Sequence, residues 1–436
     1  MISVRNHQRL LNGNKLLGLL AIPLLLISCG AFKKTAPIAW PEDDVIVVNP
    51  DKDDEPKKDD DPIKDDKDDK QEEELVYSMV TFKGEQFRVP VSKSNSFEIA
   101  ILLPFHTDNT NSSTDRRRAD LMLEYYQGIR VAIPEIEKLD SKFNLRFYDT
   151  DNDTTKLKNI LKKPEMEDMD LIIGPTSEDQ LKIAAYFARK REIPLFSPLT
   201  TMEKLWSNNP YVYNLNPSDQ MMAMEFLAYF KKHHKDEKLL IVRDGKRFDK
   251  TFGKALVDEC IAQKIDFSKV AYNRYLEWSK FLGPKKTVVL MTSEDKTSMN
   301  YAITGLLNKA DDVTLIGSDE WMDFWSVDYN QMERLKISFI STYKAQTPNE
   351  MSASVQRNYR LHYKDDPSWY TYKGHDQILF ACEILDAFGS YFPLFIEGKT
   401  VSYANTDFTF KKTNTCFQNK YLEIFQLRDM KVIKVD

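Results

Sequence analysis

Glu98-Ile99-Ala100-Ile101-Leu102-Leu103-Pro104-Phe105 is an apolar run closed by a proline. A strand packed on one face alternates polar and apolar residues, so an unbroken run of this length reads as a strand buried on both faces. Just beyond it, Leu121, Tyr125, Gly128, Ala132 and Ile136 recur at the spacing of one helix face. The same alternation continues along the chain. Further strand-like runs are Asn144 to Tyr148, Asp170 to Ile173, Ile193 to Ser197, Lys238 to Val242, Thr287 to Met291, Val313 to Ile316 and Ile337 to Ser341, with room for helices between them. Strands alternating with helices build parallel sheets covered on both faces, an α/β architecture. About 340 residues follow Phe97, more than one core comfortably fills, so two lobes are expected.

The start of the chain is of another kind. Arg5, Arg9 and Lys15 precede an apolar stretch from Leu16 to Ile27. At about twelve residues it is too short to span a bilayer, which needs roughly twenty. A basic start, a short apolar run and a small-residue site form an export signal, here 1–28. Leu26-Ile27-Ser28-Cys29-Gly30 resembles the lipobox of bacterial lipoproteins, which implies acylation at Cys29 and a membrane anchor through lipid.

Between Glu42 and Glu74 lie 17 acidic residues and 6 lysines. Residues 29–74 have no hydrophobic period and read as a lipidated, acidic, disordered linker. Such an arm spans roughly 35–40 Å as a random coil and roughly 150 Å when stretched. This acidic stretch outweighs the whole chain's net charge of −6 and is offset by the basic residues Arg5, Arg9, Lys15, Lys33 and Lys34, so the rest of the chain is close to neutral and nucleic acid is not an expected partner. Residues 75–96 suggest a short β-hairpin turning at Lys83-Gly84. Besides Cys29, only Cys260, Cys382 and Cys416 remain, with no CxxC spacing. Cys260 and Cys382 read as small buried hydrophobes on helices.

In open parallel sheets, binding crevices form at the carboxyl ends of strands, where loops and helix N-termini converge. Three such places carry hydroxyls or a carboxylate. Gly174-Pro175-Thr176-Ser177-Glu178-Asp179 opens a helix, with Thr176 or Ser177 either capping it or presenting N–H groups to an anion. Ser197-Pro198-Leu199-Thr200-Thr201 follows the next strand. Asn216-Pro217-Ser218-Asp219-Gln220 precedes another helix, where Asp219 either faces a ligand ammonium or caps. Asp149, Asp151 and Asp153 suggest a calcium loop, but Thr154 and Ile160 stand where glycine and glutamate are needed, so a strand-to-helix turn is the better reading. His233-His234 falls where a helix ends, and positive charge suits its dipole. No GxSxG, HExxH, GxxxxGK[ST] or GxGxxG occurs, and neither a metal, a cofactor nor catalysis is expected.

These strand-end segments resemble the type I periplasmic binding proteins, the branched-chain amino-acid binding family, in its envelope lipoprotein branch. Further similarity lies in Tyr126-Gln127-Gly128, Tyr148-Asp149-Thr150-Asp151-Asn152-Asp153, Gly317-Ser318-Asp319-Glu320-Trp321 and Tyr372-Lys373-Gly374-His375-Asp376. The resemblance implies a two-lobed fold, each lobe a doubly wound parallel sheet, with 97–219 plus 344–391 in lobe 1 and 220–343 plus 392–436 in lobe 2. It implies ligand contacts from Thr176, Ser177, Ser197, Thr200, Thr201 and Asp219, joined by Thr292, Ser293 and Glu320 of the second lobe. Where the family has a Tyr-Gly pair this chain has Asp244-Gly245-Lys246-Arg247-Phe248, which departs from a free amino-acid receptor. The implied function is a non-enzymatic binding lipoprotein closing on a small polar, amino-acid-like or cell-wall-derived ligand. The alternative is a scaffold or activator that contacts an envelope protein or peptidoglycan-related partner. Gly30 after the cysteine favours the outer membrane, facing the periplasm.

Overall fold

A computed structural model of the chain describes residues 45–48, 76–91, 95–107, 112–200, 208–323, 328–344, 349–414, 416–429 and 431–435. Cys29, the export signal and most of the acidic stretch lie outside them. In chain order the first lobe begins with β1 (Val45–Val48), the hairpin β2 (Tyr77–Phe82) and β3 (Glu85–Pro90), β4 (Ser96–Leu103), α1 (Ser113–Ile136), β5 (Lys142–Asp149), α2 (Thr154–Ile160), β6 (Leu171–Ile173), α3 (Glu178–Arg191), β7 (Leu195–Ser197) and β8 (Val212–Asn214). The second lobe holds α4 (Asp219–His233), β9 (Lys238–Arg243), α5 (Lys254–Ala262), β10 (Phe267–Ala271), β11 (Thr287–Thr292), α6 (Lys296–Leu306), β12 (Val313–Ser318), α7 (Tyr329–Arg334) and β13 (Ser338–Ser341). The chain then returns through α8 (Glu350–Tyr363), α9 (Trp369–Phe388), β14 (Thr400–Ser402), β15 (Asp407–Lys412) and β16 (Phe417–Asn419). It ends in β17 (Glu423–Arg428) and β18 (Lys431–Lys434).

Each run expected to be a strand is one, and the two lobes of the α/β fold are present. Lobe 1 is a nine-stranded sheet in the order β1-β5-β4-β6-β7-β8-β16-β15-β14, and lobe 2 a seven-stranded sheet in the order β10-β9-β11-β12-β13-β17-β18. The unbroken apolar run of β4 divides between two cores. Ile99, Ile101 and Leu103 join the cluster under α1 and α9, while Ala100 and Leu102 join the one under α3.

One expectation is corrected, and the acidic stretch gains one short strand. Residues 392–436 were assigned to lobe 2, but β14, β15 and β16 complete the lobe 1 sheet, with Phe417 paired to Tyr213, and only β17 and β18 join lobe 2. Within the stretch expected to lack structure, Val45–Val48 pairs antiparallel with β5, because four consecutive β-formers can cover an open sheet edge. The hairpin turns at Lys83-Gly84 and lays Phe82 and Phe87 edge-on against Phe388, at 5.1 and 5.3 Å between centroids.

Helices α1 and α9 touch backbone to backbone. A Cβ on Gly128 would lie 1.9 Å from the Thr371 carbonyl oxygen, and one on Gly374 would lie 1.9 Å from that of Tyr125. This explains two of the segments that carried the family resemblance, since only glycine permits that approach. Around the crossing, Tyr125 Oη donates to Gln377 Oε1 at 2.6 Å and Tyr359 Oη to Gln127 Oε1 at 2.7 Å.

The chain passes between lobes three times, at 215–218, between β13 and α8, and at 420–422. Asn419 Nδ2 donates to Leu215 O at 3.0 Å, tying the first crossing to the third. Lys344 Nζ pairs with Asp407 at 2.7 Å, holding the second crossing to lobe 1.

Candidate ligand site

Parallel pairing of β4, β6, β7 and β8 sets their carboxyl ends side by side, so the two hydroxyl-bearing loops are neighbours. Gly174 N–H donates to Phe196 O at 2.9 Å, and at φ +92 it turns the chain where a Cβ would lie 2.2 Å from Leu102 O. Thr176 and Ser177 are half-buried beyond it. Ser177 occupies the N-cap of α3 without a side-chain capping bond, so its hydroxyl is not spent on the helix.

Ser197 stands opposite Asn214 across β7 and β8, and Asn214 opposite Gln418 across β8 and β16. All three side chains are fully buried, yet among the described residues Ser197 Oγ, both amide atoms of Asn214 and Gln418 Oε1 have no hydrogen-bond partner. Leaving such groups unpaired costs about 1–3 kcal/mol each. Thr200 is buried close by, and Thr201 lies outside the described residues.

The first turns of α9 form the adjoining wall, next to the first crossing. Lys373 is 5% exposed; its Nζ donates to Asn216 Oδ1 and sits 4.3 Å from the centre of the Trp369 ring. Burial pushes the Lys373 ammonium down to about 7, against the pull of Asp376. Asp376 is committed elsewhere: it accepts N–H bonds from Ala404, Asn405 and Thr406 at 3.3, 2.8 and 3.2 Å and contacts His375 Nδ1 at 2.9 Å. For His375 burial opposes the charge, but its bonds to Asp376 and Glu135 prevail and lift it to about 9.

Lobe 2 uses its strand-end hydroxyls differently. Thr292 Oγ1 donates to Asp249 Oδ1 at 2.7 Å, and Ser293 Oγ to Asp244 Oδ2 at 2.6 Å, both fully buried. The hydroxyls of Thr292 and Ser293, expected as ligand contacts, thus donate within the lobe, which leaves their lone pairs as what they can offer a ligand. Asp319 is the buried acid here. Burial raises it to about 6, with Ser341, Ser318 and Tyr343 bonding to it and Glu320 adding like charge. The Tyr343 ring lies 6.3 Å from that of Trp369, so this second crossing links Asp319 to the wall holding Lys373. Glu320 is exposed beside it, and Arg247, after β9, acts on both Glu294 and Tyr370 of α9.

At the first crossing, the cap of α4 is Ser218, whose Oγ accepts from Met221 N–H at 3.1 Å; Asp219 is its first helical residue. Capping by Asp219 is thus corrected. The aspartates after β5 serve the turn: Asp149 accepts from Phe105, Thr107 and Asp151, and Asp153 caps α2. Cys260, Cys382 and Cys416 are buried and free.

Sequence reasoning missed Lys373, Trp369, Asn214 and Asp319 as site residues, though two of the segments containing them were singled out. A lysine at the head of the helix that becomes Ile378-Leu379-Phe380-Ala381-Cys382 was the available signal.

Residues 116–277 match the family model described as periplasmic binding protein. No curated protein matches the sequence. Among solved structures, a putative branched-chain amino acid ABC transporter protein from Rhodospirillum rubrum is similar at TM-score 0.59 and 10% identity, covering 78% of this chain and 100% of that one. An ABC transporter substrate-binding protein from Desulfitobacterium hafniense is similar at TM-score 0.52 and 17% identity, with the same coverages. A branched-chain amino acid ABC transporter periplasmic ligand-binding protein from Burkholderia xenovorans is similar at TM-score 0.52 and 10% identity, covering 78% of this chain and 94% of that one. These structures are named as transporter or ligand-binding proteins, and none as an enzyme. The family pattern across residues 116–277 and the shared two-lobed fold show what the chain resembles: it has the fold of these periplasmic binding proteins.

Proposed function

We propose that this chain is a non-enzymatic, membrane-anchored lipoprotein that binds a small polar ligand between its lobes as a solute receptor or sensor. The observation that carries this reading is the set of buried, unpartnered polar atoms on Ser197 and Asn214, beside the uncommitted hydroxyl of Ser177. Lobe closure over a ligand excludes water and strengthens each hydrogen bond made there. Thr176, Ser177, Ser197, Thr200 and Thr201 supply the lobe 1 contacts, Asp219 lies at the first crossing, and Glu320 faces from lobe 2. Anchoring through Cys29 places the receptor in the bacterial envelope, on the outer membrane facing the periplasm. A thermal-shift screen of the purified mature domain against amino acids, short peptides and cell-wall fragments is expected to return a stabilising ligand. A folded sample with no response to any of them would sink the reading.

A scaffold role for the same fold is favoured by one feature. The hairpin packs on α9 through one face and leaves Tyr77 and Met79 44% and 64% exposed on the other, while Val76 and Val91 are exposed at its open end. Crosslinking in cells that brings down a single envelope protein, lost on deleting 76–91, would favour this role over the receptor.

A further inference from the structure

The N-terminal arm meets lobe 1 at two places, and they are held very differently. The hairpin is fastened by side chains: Phe82 and Phe87 lie against Phe388, Phe87 also against Phe395 at 5.9 Å between ring centres, Lys83 pairs with Glu383 at 2.6 Å, and Lys399 pairs with Glu85. By contrast, β1 has four residues, stands at one end of its sheet and, among the described residues, pairs with β5 alone. It covers Phe143 to Arg146, half of the eight residues of β5. So short a strand on a sheet edge is a weak attachment, and closing the loop of about 28 residues that joins it to β2 costs further entropy. Nothing in the sheet depends on it, because β5 is held on its other side by β4 along its whole length, from Lys142 opposite Ser96 to Asp149 opposite Leu103.

We propose that β1 is a releasable strap, seated on the edge of β5 by the chain's own residues Val45–Val48, which gives the arm two lengths while the hairpin stays fixed. The inference rests on the anchoring at Cys29 in the reading above and adds a control on how far the anchored domain reaches. With the strap seated, about sixteen residues separate Cys29 from Val45 and reach at most about 55 Å. With it released, about 48 residues lead from Cys29 to Tyr77 and reach at most about 160 Å. Tension between membrane and domain falls first on β1, and on the hairpin only after β1 has left β5. Both lobes stay folded through the change, since the bonds given up are those of one edge pairing. The vacated edge then presents a row of unpaired backbone groups, the kind of template that another strand can add to.

The test is force spectroscopy on the full chain from residue 29 to 436, made without lipid and held by a peptide tag at each end. The wild type is expected to lengthen by about 100 Å in one step, at a force below that which unfolds the lobes. In I46P/V47P, checked for folding by circular dichroism, proline at two consecutive positions removes whichever N–H points at β5, so the chain should start at the released length without that step. Val47 stands opposite Asn144, so V47C/N144C should crosslink within one chain on oxidation, run as a monomer on a non-reducing gel and show the step only after reduction. No such step in the wild type, an unchanged step in I46P/V47P, or V47C/N144C failing to crosslink within one chain would each overturn the strap; crosslinking between chains instead would assign β1 to a second copy. The reading as a lipid-anchored receptor is decided separately, by palmitate incorporation that C29A should abolish and by the thermal-shift screen.

Discussion

The carboxyl ends of the two sheets look alike in composition and behave oppositely. In lobe 1, Ser197, Asn214 and Lys373 are buried with bonding capacity unspent or a charge uncompensated. In lobe 2, Thr292 and Ser293 are equally buried, but Asp249 and Asp244 accept from them, and Asp249 also binds Arg243 at 2.6 Å and Gly245 N–H at 3.0 Å. One lobe leaves buried polar groups unpaired among the described residues. The other has closed its network on itself. Spare capacity of this kind marks where a ligand contributes free energy, since each unpaired group gains a partner only on binding.

The sharpest way to break the comparison is at the glycine contacts that set the lobe 1 wall. G374A drives a Cβ into the Tyr125 carbonyl and is expected to cost about 3 kcal/mol or more in urea unfolding, or to prevent folding. G245A in lobe 2 meets nothing within 4 Å and bears only the strain of a positive φ, about 1 kcal/mol. Equal losses would mean that the crossing of α1 and α9 is looser than its geometry.

Next in size, D249A leaves Arg243 without its carboxylate and Thr292 with only the Val242 carbonyl to donate to, and is expected to cost about 3 kcal/mol in stability with ligand affinity unchanged. A large affinity loss in a stable D249A protein would move part of the site into lobe 2.

The third prediction uses pH. Lys373 is lowered to about 7, so the unfolded chain binds the extra proton between about 7 and the ordinary lysine value of 10.5, and stability rises with pH across that window. His375 is raised to about 9, so its contribution is fully present below its ordinary value near 6.5 and is lost as pH climbs through 9. Between pH 7 and 9 the two slopes oppose each other. K373M should therefore make chemical-denaturation stability fall across that interval, and H375Q should make it rise, each at up to about 1.4 kcal/mol per pH unit. A flat profile in both variants would remove the electrostatic contrast.

The smallest effect is on binding. S177A is expected to weaken the ligand found by screening by roughly fivefold to tenfold, the worth of one hydrogen bond of about 1 kcal/mol, at little cost in stability. S293A should show the reverse pattern, losing stability and keeping affinity.

Much of the architecture was legible before any coordinates. The run from Ile99 to Leu103 announces a strand buried on both faces because nothing polar interrupts it, and Leu121 to Ile136 announces its helix by spacing alone. The strands after Phe392 were harder to place. Asp407–Lys412 and Phe417–Asn419 read simply as β-formers, and which sheet they join depends on partners about 200 residues away.

Local pattern alone determined the alternation of strands and helices, the glycines where the chain turns or packs closely, and the hydroxyls at strand ends, because each is set by neighbours within a few residues. Tertiary structure alone decided which hydroxyls are free. Ser197 and Ser293 are the same residue type at the same kind of strand end, and they differ only in whether a carboxylate from elsewhere in the chain arrives to accept the bond. Lys373 is the clearest case, for a lysine near the start of a helix is ordinary until packing buries it without a counter-charge.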